Sequence, residues 1–109
     1  MVEPVDDEGH LSVESAVDGR TARLTLAGEL DLNGVDAIAQ NLDEFGQGDL
    51  DAVVIDASGL TFLDSSGLRA LLSGREKLRE KGIELRVADA SAAVTRVLDM
   101  TGTRTILEG

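Results

Sequence analysis

Ala52-Val53-Val54-Ile55, followed by Leu60-Thr61-Phe62-Leu63-Asp64-Ser65-Ser66-Gly67-Leu68-Arg69-Ala70-Leu71-Leu72, decides the fold of this chain. The first four residues form an unbroken apolar run, the pattern of a strand covered on both faces. Asp56-Ala57-Ser58-Gly59 reads as its exit, and a short loop then lifts Phe62 and Leu63 towards the surface edge of the sheet. A helix opens at Asp64-Ser65-Ser66-Gly67 and buries Leu68, Leu71, Leu72 and Leu78 at helical spacing. A hydroxyl in that first turn meets unpaired backbone N–H groups and the positive end of the helix dipole. Two readings of the turn stay open on local pattern. Asp64 or Ser65 can simply cap the helix, or a serine there can carry a phosphate, which the dipole favours and which adds about two negative charges to a corner. The plain cap is the commoner reading of such a pattern; Gly67 argues against it, because glycine inside a helix costs about 1 kcal/mol relative to alanine. Something must approach the backbone closely there.

Working outward, Leu11 to Val17 and Arg20 to Ala27 read as two strands joined through Asp18-Gly19, a hairpin signal in which both turn positions favour positive φ. In the second strand Leu24 and Leu26 face inward, Arg23 and Thr25 outward. Asn33 caps a helix carrying Val35, Ile38, Leu42 and Phe45 on one face, and Gly46 and Gly48 end it. The helix begun at Ser65 closes with Arg75, Lys77, Arg79 and Lys81 ahead of Gly82, so cations meet its negative end. Ile83-Glu84-Leu85-Arg86-Val87 alternates as a strand. Ser91 caps a last helix bearing Val94, Val97 and Leu98, which stops near Gly102. Thr103 to Leu107 either adds a short final strand or packs Ile106 and Leu107. Strands separated by helices pair in parallel through right-handed crossovers. With the opening hairpin, the expectation is an α/β domain with a mixed sheet of four or five strands.

The chain has 109 residues, enough for one domain with a modest core. Only Phe45 and Phe62 are aromatic, so Leu, Val, Ile and Ala must fill that core. Residues 1–10 are acidic, contain Pro4 and lack an apolar period; they read as a flexible tail, with the domain spanning 11–109. Asp and Glu number 21 against 10 Lys and Arg, a net charge of −11. Such a surface repels nucleic acid and anionic membranes and favours a basic partner. There is no cysteine, which excludes disulfides and thiolate zinc sites, and no apolar run long enough for direct membrane insertion. A cytoplasmic setting follows as the default. The leftover surface has no large apolar stripe, which points to a monomer or weak dimer.

Catalytic chemistry finds little footing. The only histidine is His10, beside the acidic tail, and neither a Gly-x-Ser-x-Gly elbow nor a Walker A sequence occurs. Carboxylates lack metal-loop spacing, and no glycine-rich phosphate cradle is present, so neither a metal nor a cofactor is expected. Asp56 reads equally as a turn-former or a site residue.

Asp64-Ser65-Ser66-Gly67-Leu68, together with Gly28-Glu29-Leu30-Asp31 at a strand end ahead of the first helix, resembles the STAS family, in particular bacterial anti-sigma factor antagonists. The resemblance runs from about Leu11 to about Leu107. It implies a single STAS-like α/β domain without enzymatic activity that acts by partner switching. Ser65 would be the phosphoacceptor, with Ser66 as fallback. Asp31, Asp64, Ser65, Ser66, Gly67, Leu68 and Arg69 would form the partner surface. The implied partners are an anti-sigma factor with serine kinase activity and a PP2C-type phosphatase. Arg69 departs from the small residue common at this place in the family. It lies one turn after Ser65 and reads either as a solvated arginine or as a partner for a phosphoserine. The other role the resemblance allows is a scaffold or regulatory subunit, of a stressosome or of a lipid or anion transport assembly, without a phospho-switch.

Overall fold

The computed structural model describes residues 10–108, so the expected acidic tail lies outside the described residues except for His10. Four strands and four helices follow in the order β1 (Ser12–Asp18), β2 (Thr21–Leu30), α1 (Val35–Gly46), β3 (Ala52–Leu63), α2 (Ser65–Arg79), β4 (Glu84–Ala90), α3 (Ala92–Thr101) and α4 (Arg104–Glu108). The sheet order is β1-β2-β3-β4, antiparallel for the first pair and parallel for the other two. The mixed sheet expected from the alternation of elements is therefore present with four strands. Each parallel step moves to the next strand in the same direction, so the right-handed rule puts α1 and α2 on one face, where they pack together.

Alternation along the strands builds the core. Ala22 and Leu24 pair with Val53 and Ile55, which pair in turn with Leu85 and Val87, and all six are buried. Ile38, Leu42 and Phe45 of α1 and Leu68, Leu71 and Leu78 of α2 close over them. Val35, Leu72 and Val97, expected in the core, are only partly buried. Val54 faces the other side of the sheet between Arg23 and Arg86, yet it too is buried, so the apolar run of β3 is covered on both faces as its pattern implied.

Several local expectations are corrected. Asp18 pairs with Thr21, so the hairpin loop is Gly19-Arg20; only Gly19 has positive φ, the pattern of a type II′ loop. The expected loop after Asp56 is strand: β3 runs through to Leu63, with register shifts against β2 and β4 taking up the irregularity. Asp56 accepts hydrogen bonds from Ser58 N at 3.0 Å and Ser58 Oγ at 2.7 Å, which makes it a backbone-shaping residue at that irregularity. Leu63 is buried; only Phe62 of that pair reaches the surface. Asn33 does not cap α1. Asp31 caps a preceding 3-10 turn, Leu32–Gly34, by accepting from Asn33 N at 3.0 Å, and α1 continues from it. Residues 104–108 form α4 rather than a strand, with Leu107 buried and Ile106 exposed.

Candidate functional site

Two strand ends meet where α2 begins. Glu29 and Leu30 pair with Phe62 and Leu63, Thr61 Oγ1 donates to Gly28 O at 3.2 Å, and Asp64 N donates to Leu30 O at 3.3 Å. These bonds bring Asp31, next after Leu30, beside Asp64 and Ser65, so the two sequence motifs form one corner. Gly28 has φ of 93°, a conformation L side chains rarely adopt. Gly67 answers a different demand. A Cβ built there would lie 2.7 Å from Leu30 Cγ and 2.8 Å from Leu30 O. The close approach expected at Gly67 is made by the chain's own β2.

Asp64 is the N-cap of α2, its Oδ1 accepting from Gly67 N at 2.9 Å. That leaves the N–H groups of Ser65 and Ser66 without partners among the described residues. Ser65 is exposed at the first helical position, and its hydroxyl has no hydrogen bond to a described residue. Ser66 is half-buried. Gly67 and Leu68 face the core, so within the expected surface they set the position of the helix while Asp31, Asp64, Ser65, Ser66 and Arg69 present side chains. Arg69 is exposed and makes no ion pair with a described residue. Among the described residues no cluster of carboxylates or histidine fits a metal ion, and no helix is long and apolar enough to cross a membrane.

Sequence reasoning expected Phe62 at the surface beside this corner but missed Leu32 and the groove below it. Leu32 is 71% exposed and Phe62 45%. Leu32 also heads a groove of about 280 Å³ between α1 and α2, lined with Val35, Ala39, Ser66, Arg69 and Ala70. Leu32 continues the apolar spacing of α1 one turn ahead of Val35, but it sits in the 3-10 turn between a capping aspartate and an asparagine, where it is exposed. An apolar residue in such a turn is the signal that would have found it.

The family model described as "Mlab, STAS domain" matches residues 13–108. An anti-sigma F factor antagonist from Paenibacillus polymyxa is 37% identical over 78 residues, 71% of this chain and 67% of the relative. Among solved structures, the anti-sigma factor antagonist SpoIIAA in its unphosphorylated form superposes with a TM-score of 0.78 at 23% identity, covering 88% of this chain and 85% of that one. The Bacillus cell fate determinant SpoIIAA in its phosphorylated form gives 0.70 at 23% identity, covering 92% and 89%.

Proposed function

The chain belongs to the STAS domain family, and from that premise we propose that it is an anti-sigma factor antagonist that works by partner switching. Unmodified, it binds an anti-sigma factor that is also an ATP-dependent serine kinase, and so frees the sigma factor. Transfer of the γ-phosphoryl group to Ser65 Oγ, with loss of the hydroxyl proton and release of ADP, ends the complex. A PP2C-type phosphatase restores the serine. The cycle takes place in the cytoplasm.

The observation that carries this reading is the exposure of Ser65 at the start of α2, with a hydroxyl and neighbouring N–H groups that have no partner among the described residues. The name borne by the Paenibacillus relative supports the same role. An uncharged serine lets a partner dock flush against Leu32, Phe62 and the α1–α2 groove. A phosphate at that place adds bulk and about two charges inside the contact, and leaves any facing carboxylate of the partner unpaired.

Incubation with the anti-sigma kinase and ATP, followed by intact-mass analysis and peptide mapping, tests the assignment. One phosphate is expected, lost in Ser65→Ala and kept in Ser66→Ala. Ser65→Ala should still bind the kinase and Ser65→Asp should bind more weakly. Phosphate mapped to Ser66, Ser58 or Thr61 would overturn the site; equal binding by the Ala and Asp variants would favour a scaffold role.

A further inference from the structure

At the other end of α2 from Ser65, about 21 Å away along a helix of this length, lies a cavity of about 420 Å³ that meets the edge of the sheet. Arg75 and Arg79 of α2, Ile83, Arg86 of β4, and Thr105 and Ile106 of α4 line it. Three of the chain's 10 Lys and Arg thus surround one cavity in a protein of net charge −11. Their charges are poorly matched. Arg75 and Arg79 share Glu76 at 3.9 and 3.5 Å, Arg86 pairs with no described residue, and Glu84 is the only carboxylate among the described residues of the lining.

The backbone here is also uncommitted. Strand β4 is an edge. Glu84 N donates to Asp51 O at 3.1 Å, and ladder alternation therefore turns the N–H and C=O groups of Leu85 and Val87 away from β3, towards the free side. Leu85 lies on the core face, the side on which α2 holds Arg75 and Arg79, and Arg86 projects from the opposite face. Side chains of an added strand would alternate between these two faces. A segment with acidic residues at successive positions would meet a guanidinium on either side, while its backbone bonded to the edge. Arginine forks suit carboxylates held in this way.

We propose that the first half of β4 takes up an extended acidic segment of a partner protein as a fifth strand, clasped by Arg75 and Arg79 on one face and Arg86 on the other. This surface is separate from the Ser65 corner and does not depend on the phospho-switch. A small anion would engage only one face and leave the edge backbone unused. A second copy of the chain is disfavoured because it would bring its whole net charge of −11 against that of this one, whereas a short acidic segment meets chiefly the three arginines of the cavity within a screening length.

The test uses the full chain and a fluorescent, end-blocked peptide rich in Glu with interspersed Val, read by anisotropy. A second peptide of the same sequence and charge has the alternate amides that would face β4 N-methylated. The first peptide should bind, and the Arg79→Gln/Arg86→Gln double variant should weaken it about tenfold, a loss that raised salt reproduces in part. Methylation should abolish binding, and Ser65→Ala should leave it unchanged. Equal binding of the methylated peptide, or displacement by inorganic phosphate at matched ionic strength, overturns strand addition. So does sedimentation showing that this edge instead pairs with a second copy of the chain.

Discussion

Gly67 shows how one atom can fix a site. A methyl group there meets the carbonyl of Leu30, which is backbone and cannot rotate away, and Leu63 Cδ1 at 2.9 Å. Gly67→Ala should gain about 1 kcal/mol of helix propensity yet lose more through the clash, for a net destabilisation of about 1–3 kcal/mol. Chemical denaturation reads the outcome; a stabilised variant would mean that α2 can slide off β2 without cost. The special backbone at Gly67 was legible from its place in the first turn. The identity of its neighbour was not, because β2 lies far away in sequence and no local pattern names it. Arg69 is the second case. A phosphate on Ser65 would lie one turn before a guanidinium with no described ionic partner. An exposed pair at that spacing contributes about 0.3–1 kcal/mol, and the effect fades with salt. Arg69→Ala should therefore leave the unmodified protein's stability nearly unchanged and lower that of the phosphorylated form slightly at low ionic strength. A cycle of the two proteins with and without phosphate measures the coupling. Zero coupling at low salt would make Arg69 a plain solvated residue.

At the scale of the element, α2 both carries Ser65, the proposed phosphoacceptor, and anchors the core, so a switch that melted it would unfold the domain. Negative charge in the first turn of a helix is stabilising by about 0.3–1 kcal/mol, and here Ser65 and Ser66 offer N–H groups with no partner among the described residues. The phosphorylated protein should thus melt at the same temperature as the unmodified one or slightly higher, as calorimetry would show. A clear drop would mean that modification acts by fraying α2. Elements with a long period, α1, α2, α3 and the alternating β4, were legible because burial repeats many times within each. Those set by pairing were not. Strand β3 extends past Ile55 because β2 extends alongside it as far as Leu30, and the Asp56–Ser58 bonds and register shifts absorb residues that read as a loop. The cap of α1 was misread for a related reason: a 3-10 turn intervenes, Asp31 caps that turn, and α1 follows from Gly34 without a side-chain cap of its own. Residues 104–108 are too few for either period to show, and Leu107 decides the matter by packing into the core.

For the molecule as a whole, charge was legible from composition, but its distribution was not. Arg20, in the hairpin loop, donates to Asp51 through two nitrogens at 3.0 Å and to Asp49 at 3.1 Å, tying the β1–β2 turn to the entrance of β3. That contact holds the Asp51 carboxyl below the usual carboxylate range, chiefly through the Arg20 hydrogen bond. Asp56 is likewise lowered, first by the Ser58 backbone N–H, then by the Ser58 hydroxyl, with Arg23 assisting. In the unfolded chain both carboxyls return to about 4. Just below that value the unfolded state binds protons that the native state still refuses, so acid favours unfolding. The contribution of these two groups is complete at neutral pH and is lost as pH falls from about 4 through their lowered native values. Asp56→Asn removes one titrating group while its side-chain oxygen can still accept from Ser58. Its stability should be a little lower at pH 7 and should fall less steeply in acid than that of the unaltered protein. Denaturation midpoints measured across the acid range check this. Identical slopes would mean that Asp56 titrates alike in both states and that the bonds at the β3 irregularity shape the backbone without holding a charge.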